Sequence, residues 1–126
     1  MKRRVLIVVW GIVALPVLWF FFGDALKSPT PFDSEVWKKH GSWQSNAYPR
    51  LSMADDLIKR DALKGLKKGQ VLEMLGDPGD HGYFRSYDLV YWLGPERSFI
   101  GIDSEWLAIT LNKTTGSVEN YKLVRD

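Results

Sequence analysis

The sequence predicts an α+β domain in which two helices cover a three-stranded antiparallel meander (ααβββ), with a transmembrane helix before it. Three observations lead to this fold class. An uncharged apolar run of 18 residues occupies positions 5–22, two helix-like patterns follow by residue 76, and strand-like segments fill the rest. Helices grouped before strands, rather than alternating with them, are typical of α+β domains with the helices on one face of the sheet.

The first element is the apolar run VLIVVWGIVALPVLWFFF. As a helix rising about 1.5 Å per residue it is roughly 27 Å long, close to the thickness of the hydrocarbon core. Lys2, Arg3 and Arg4 precede it, and positive residues hold the flanking end in the cytoplasm. Residues 1–23 are therefore predicted to form a membrane anchor, with the following chain on the periplasmic or extracytoplasmic side. A cleaved signal peptide is the alternative, although its apolar stretch is usually only about 7–15 residues.

Residues 24–50 are predicted to form a tether, because prolines and serines interrupt any sustained periodicity. Three large apolar side chains, Phe32, Val36 and Trp37, allow two interpretations of this tether. Either they pack back onto the domain through one amphipathic turn, or they form a docking peptide for a partner. We favour packing.

The predicted domain covers residues 51–126 and begins with a helix. Ser52 is the expected N-cap, and Asp55 three residues later completes a capping pattern. Acidic residues come early in this segment and basic residues late, which suits the helix dipole. Gly65 is the expected end of the helix.

The second helix is predicted at about residues 68–75, within GLKKGQVLEMLGDP. Val71 and Leu75 lie four residues apart and therefore on one helical face. Gly76 follows at a position that favours a left-handed C-cap, and Pro78 prevents continuation. The helical layer is thus expected to end here.

Three strands follow in the prediction. Aromatic and β-branched residues indicate the first at about residues 87–93, and alternation in EWLAITLN indicates the second. The segment NKTTG is a hairpin turn that ends at Gly116, and SVENYKLVRD supplies the last strand. Because the turn is short, these two strands must pair antiparallel.

The order of these segments resembles the SmpA/OmlA, or BamE-like, domain family over about residues 51–124. The family pattern is a Gly, five residues, a Val, three residues and then Leu-Gly-x-Pro. The matching positions here are Gly65, Val71, Leu75, Gly76 and Pro78. The resemblance implies an envelope domain that binds other envelope proteins, since well-known members are lipoprotein subunits of the machinery that assembles outer-membrane β-barrels. Similar folds in secreted inhibitors of β-lactamases imply an alternative role as an enzyme inhibitor.

Composition excludes several kinds of chemistry. The chain has no cysteine, so it has no thiolate metal site, no cysteine nucleophile and no cysteine for lipid attachment. Asp77, Asp80 and His81 allow a metal site or a general base to be considered, but Asp and Gly are also ordinary turn residues. We therefore predict no catalytic residues, no metal, no cofactor and no small-molecule substrate.

The distribution of charge argues against nucleic acid as a partner. Four of the 17 basic residues and one of the 15 acidic residues precede Ser28, so the remaining sequence has a net charge of −1. A nucleic-acid-binding domain needs a basic face to neutralise phosphates. The expected partners are the membrane, through residues 5–22, and an envelope protein.

Aromatic residues supply the candidate interaction surface. A strand buries alternate side chains, so helices on one face of the sheet would leave some rings on the other. A second candidate is the apolar centre of the loop GPERSFIGIDSE. Exposed apolar patches commonly mark protein interfaces. The predicted interaction residues are Tyr87, Trp92, Phe99, Ile100 and Trp106.

Overall fold

The computed structural model describes residues 28–42, 47–79, 84–98 and 101–126. Helices precede strands, and the three strands form an antiparallel sheet in the order β1-β2-β3. The predicted α+β class and the antiparallel meander are confirmed, but the described residues form three helices where two were expected after the membrane span. The elements are α1 (Ser34–Lys39), α2 (Pro49–Lys59), α3 (Lys68–Leu75), β1 (Leu89–Pro95), β2 (Ser104–Leu111) and β3 (Val118–Arg125).

The predicted membrane helix lies outside the described residues, which begin at Ser28. Within the described ranges, no helix combines the length and the apolar character needed to cross a membrane.

Helix α1 lies within the segment predicted to be a tether. The Asp33 side chain caps it by accepting a hydrogen bond from the Val36 N–H at 3.1 Å. Trp37 is fully buried in the main core, and Phe32 and Val36 pack against that core. Of the two interpretations of this segment, the structure shows packing onto the domain.

Helix α2 begins at Pro49, and its N-cap is Tyr48, four residues before the predicted N-cap. Proline suits the first helical position, because its missing N–H would have no partner within the helix and its φ angle is already helical. The predicted cap, Ser52, lies inside the helix, and its hydroxyl accepts a hydrogen bond from the Thr30 N–H at 2.7 Å. The helix also ends earlier than predicted, at Lys59 rather than near Gly65.

Helix α3 has the predicted bounds and the predicted end. Gly76 has a φ of 78°, and its N–H donates to the Leu72 carbonyl at 2.8 Å. At the other end, the Gln70 side chain accepts from the Lys67 N–H at 2.8 Å. The Lys67 ammonium donates to the Thr115 carbonyl at 2.6 Å, which ties the start of α3 to the β2–β3 hairpin.

The helices cover one face of the sheet and form the main core with it. Leu89, Tyr91 and Leu93 of β1 point to this face, opposite Leu107 and Ile109 of β2. A bulge between Trp92 and Gly94 shifts the register of β1 against β2. The buried members of this core are Trp37, Met53, Ala54, Leu57, Leu63, Val71, Leu75, Leu89, Tyr91, Leu93, Leu107, Ile109 and Val118.

The opposite face of the sheet carries a second buried cluster, contrary to the prediction of exposed rings. Trp92 and Trp106 are only 4% and 6% exposed. Tyr48, just before α2, packs edge-on against Trp92 at a centroid distance of 5.8 Å. Phe84, between α3 and β1, packs edge-on against Trp106 at 5.6 Å. The rings are buried because the connecting segments fold over this face, which the strand pattern alone does not reveal.

Candidate functional site

Two of the predicted interaction residues are internal. The Trp92 indole N–H donates to the Ser104 hydroxyl at 2.9 Å, and the Trp106 indole N–H donates to the Asp126 carboxylate at 3.2 Å. Both indoles therefore hold parts of this chain together. The expectation that Trp92 and Trp106 offer their rings to a partner is corrected by this burial.

The other predicted interaction residues have different positions. Tyr87 is half-buried at the edge of the second cluster, with its ring 6.3 Å from that of Phe84. The Lys122 ammonium lies 5.7 Å from the centroid of the Tyr87 ring, within the range of a cation–π contact. Phe99 and Ile100 lie outside the described residues.

The five family-motif positions shape the fold rather than a chemical site. Val71 and Leu75 are fully buried in the main core. Gly65 and Gly76 have φ angles of 81° and 78°, which favour glycine because it lacks a Cβ. Pro78 is half-buried just beyond the helix. No reactive side chain is among these positions.

The loop between β1 and β2 has ion pairs at its base. The Arg97 guanidinium pairs with Asp55 of α2 and with Glu105 of β2, the latter at 2.8 Å. Hydrogen bonds to Asp55, and to a lesser extent Glu105, raise the pKa of Arg97 above its usual value despite partial burial. Arg125 of β3 pairs with Glu96, the first residue of the loop, at 3.0 Å. These contacts fix the first two residues of the loop, Glu96 and Arg97, to the domain.

Ile102 stands out on this loop, because 77% of its surface is exposed. Its neighbour Gly101 has a φ of 62°, and the Gly101 N–H donates to the Ser98 hydroxyl at 3.4 Å. Sequence reasoning identified the loop but named Phe99 and Ile100 rather than Ile102. The sequence contains no signal that separates Ile102 from Ile100, since both lie directly beside Gly101.

The two edges of the sheet differ in how they are covered. At β1, the Arg50 guanidinium donates to the outward carbonyl of Trp92 at 2.9 Å. Gly94 lies so close to Tyr48 that an added Cβ would be 3.0 Å from the Tyr48 Cβ. The segment before α2 therefore blocks the β1 edge.

Among the residues that the structure describes, the outer edge of β3 is covered only at its beginning. The Val118 N–H donates to the Leu66 carbonyl at 2.8 Å, and the Gly65 N–H donates to the Val118 carbonyl at 3.0 Å. Beyond this short pairing, the strand continues to Arg125 with mostly exposed or half-buried side chains. An uncovered edge strand is a template for pairing with another chain.

Residues 28–42, which we call the arm, are attached to the domain by specific polar contacts. The Phe32 N–H donates to the Asp56 carboxylate at 2.9 Å, and Arg60 forms an ion pair with the same carboxylate at 2.8 Å. The hydrogen bond from Arg60, followed by that from Phe32, lowers the pKa of Asp56 below its usual value. Nearer α1, the Ser34 hydroxyl donates to the Met74 carbonyl at 2.6 Å.

Arg50 joins the arm to the sheet from a buried position. Its guanidinium donates to the Trp37 carbonyl at 2.6 Å and to the Trp92 carbonyl at 2.9 Å, and it lies 4.8 Å from the centroid of the Trp37 ring. Burial lowers the pKa of Arg50 to about 10, so the group is still charged at neutral pH. The carbonyl at the end of α1 is a favourable partner for this cation, because helix C-termini carry partial negative charge.

The described residues offer no evident catalytic or metal-binding arrangement. No group of three or more His, Asp or Glu side chains that could hold a metal occurs among them. An open, mostly polar cavity of about 590 Å³ lies near the β2–β3 hairpin. Two of its polar groups are committed to the fold: Asp88 accepts from the Leu111 N–H at 2.7 Å and Asn112 accepts from the Thr114 N–H at 2.9 Å. Asp80 and His81 lie outside the described residues.

Comparisons with protein-family models, with curated proteins and with solved structures find no match to this chain.

Proposed function

We propose that this protein is a non-catalytic interaction domain, anchored in the membrane and lying on its extracytoplasmic side. Its task would be that of an accessory factor in envelope or outer-membrane protein assembly. The observation that carries the proposal is the exposure of Ile102 on a loop whose base is fixed by ion pairs. The resemblance of the motif at residues 65–78 to BamE-like domains supports the same role.

An exposed apolar residue close to a fixed loop base is well suited to binding a protein. Backbone that is already held in place loses less conformational entropy on association than a mobile segment, so more of the contact energy appears as affinity. Single exposed apolar residues are common on protein surfaces and need no explanation. Here, however, the sequence SFIGI places Phe99 and Ile100 beside Ile102, giving the loop three large apolar residues in four positions.

The arm supports a location close to the membrane. The predicted membrane span ends at Phe22, and the Thr30 N–H is hydrogen-bonded to Ser52 of α2. Thr30 is eight residue steps after Phe22, and a fully extended chain of that length spans at most about 29 Å. If residues 5–22 cross the membrane, the domain is held within that distance of the bilayer surface.

Photo-crosslinking in intact cells tests this function. A photoreactive residue replaces Ile102 in the full chain, and trapped proteins are identified by mass spectrometry. The control places the same residue at Lys113, an exposed position in the β2–β3 turn. This turn is at the opposite end of β2, about 25 Å away along eight strand residues.

We expect a reproducible envelope protein adduct at position 102 and none at position 113. The substitution Ile102→Asp should greatly reduce copurification of that protein while leaving the amount of folded chain unchanged. Trapping a soluble secreted enzyme would instead support the inhibitor alternative. Equal labelling at both positions, or no adduct from folded and abundant protein, would refute the loop as a docking element.

A further inference from the structure

We propose that the outer edge of β3, from Tyr121 to Arg125, receives an extended segment of a partner protein that carries a carboxylate opposite Lys122. The inference rests on the proposed function only for the presence of a protein partner. It concerns a different surface from the β1–β2 loop, so the two proposals can fail separately.

The hydrogen-bonding pattern of the sheet shows which groups of β3 face outward. Ile109 of β2 accepts from the Asp88 N–H, so its backbone groups face the β1 side. In an antiparallel sheet successive residues face opposite neighbours, so the residues of β2 that face β3 are Trp106, Ala108 and Thr110. Their partners on β3 point inward and are Val124, Lys122 and Asn120. The intervening residues of β3 therefore point their backbone groups outward, and these are Tyr121, Leu123 and Arg125.

These outward groups extend far enough along β3 to pair with a short added strand. In the described part of the chain, no backbone group outside the sheet bonds to Tyr121, Leu123 or Arg125. Five residues of strand at about 3.4 Å each span roughly 17 Å. An added strand of similar length would continue the line that Gly65 and Leu66 begin beside Val118. Strand addition of this kind takes its affinity from the main chain and its specificity from alternate side chains.

The side chains along the edge define the chemistry of the occupant. On the helix side, Tyr121 and Leu123 are half-buried and pack against the main core. An apolar residue of an incoming strand would extend that contact. On the other face, Lys122 is exposed between the inward positions 120 and 124. Oppositely charged cross-strand pairs are favourable and like-charged pairs are not, so a carboxylate is the complementary neighbour of Lys122.

A second copy of this chain is a poorer occupant than an acidic segment. Two β3 strands paired antiparallel must place residues of the same face opposite each other. The residues of β3 that share the face of Lys122 are Asn120 and Val124, and neither carries a carboxylate. The carboxylate of Asp126, just after β3, is already held by the Ser104 N–H and the Trp106 indole N–H. The occupant that fits is therefore an extended segment of another protein in which apolar and acidic residues alternate.

Amide hydrogen exchange on the full chain in detergent micelles tests the inference. The probe is a nine-residue peptide that alternates valine with glutamate between terminal serines. At a saturating peptide concentration we expect exchange to slow at least tenfold for the N–H groups of Tyr121, Leu123 and Arg125. The inward N–H groups of Asn120, Lys122 and Val124 serve as internal controls, because the sheet already protects them.

Two comparisons decide whether charge selects the occupant. A peptide with lysine in place of each glutamate should bind at least tenfold more weakly, and Lys122→Glu should reverse this preference. Lys122→Gln, which removes the charge but keeps a long polar side chain, should abolish the preference for either peptide. Unchanged exchange at about 1 mM peptide would overturn the proposal, and so would equal binding of both peptides. Protection of the same amides that rises with protein concentration alone would assign the edge to self-association instead.

Discussion

Replacement of Trp37 measures how strongly the arm is part of the domain. The side chain is fully buried, with its ring centroid 5.8 Å from that of Phe32 and 6.2 Å from that of Tyr91. The Arg50 guanidinium lies against the same ring. Truncation of a buried aromatic side chain to alanine typically costs about 3–5 kcal/mol, through lost transfer energy and the cavity left behind. We expect a loss of that size in the free energy of unfolding of Trp37→Ala.

Trp37→Phe provides a sharper test, because the indole N–H is buried and has no hydrogen-bond partner among the described residues. An unsatisfied buried donor costs about 1–3 kcal/mol. Phenylalanine removes this donor together with two ring carbons, which are worth roughly 1.5 kcal/mol at about 0.8 kcal/mol for each buried carbon. These two effects nearly cancel, so Trp37→Phe should change the free energy of unfolding by less than about 1 kcal/mol.

The assay is urea unfolding of the full chain in detergent micelles, followed by near-ultraviolet circular dichroism. Val36→Ala, a smaller truncation at the neighbouring half-buried position of α1, is the matched control. A cost below about 1 kcal/mol for Trp37→Ala would show that the arm does not contribute to the cooperative core, since the expected cavity cost is larger. If Trp37→Phe were as unstable as Trp37→Ala, the unsatisfied indole N–H would not be a cost to stability, and this reasoning would be refuted.

Three further predictions concern the other contacts that hold the arm, the edge and the loop in place. Because a hydrogen bond from Arg60 lowers the pKa of Asp56, the ionised carboxylate stabilises the fold. This contribution is complete above about pH 5 and is lost as the pH falls through the folded-state pKa. Asp56→Asn should therefore remove that part of the acid sensitivity of urea unfolding. Gly94→Ala should destabilise the domain by about 1–3 kcal/mol in the same assay, because the new Cβ would be 3.0 Å from the Tyr48 Cβ at a φ of 156°. Arg97→Met should cost about 1–2 kcal/mol and accelerate amide exchange in the β1–β2 loop, because it removes two ion pairs from a partly exposed position.

Matched variants separate these effects from general damage. Gly69→Ala adds a Cβ in open space within α3 and should stabilise the domain by roughly 0.5–1 kcal/mol, in contrast to Gly94→Ala. Asp33→Asn also changes a carboxylate to an amide in the arm, but its side-chain oxygen can still accept from the Val36 N–H, so α1 should stay capped and the free energy of unfolding at neutral pH should change little. An Arg97→Met variant with wild-type exchange in the loop would show that the ion pairs do not order it.

Local signals predicted some elements well. The end of α3 is set by Gly76 and Pro78, which act within a few residues of the helix and can be read without tertiary information. The β2–β3 hairpin is similar, because Asn112 accepts hydrogen bonds from the Thr114 and Thr115 N–H groups within its own turn. The alternation in β2 also separated the two faces correctly, with Leu107 and Ile109 in the main core.

Tertiary contacts explain what the sequence did not predict. Helix α1 has six residues, too few to be stable alone, and it depends on burial of Trp37 and on the carbonyl contact with Arg50. Ser52 is a residue type typical of N-caps, but its hydroxyl accepts a hydrogen bond from the Thr30 N–H of the arm. Alternation assigned Trp92 and Trp106 to the second face, yet it carries no information about the loops that cover that face.

The account depends most on the side of the membrane at which the domain lies, since the proposed function needs an envelope partner. The chain contains no cysteine, so Lys113→Cys introduces a single thiol at an exposed turn. The decisive measurement is labelling of this thiol in intact cells with a maleimide that crosses outer-membrane pores but not the cytoplasmic membrane. We predict labelling of Lys113→Cys in intact cells, whereas Lys2→Cys, at the other end of the predicted span, should react only after the cells are broken. Labelling of Lys113→Cys only after cell breakage would place the domain in the cytoplasm and contradict the account.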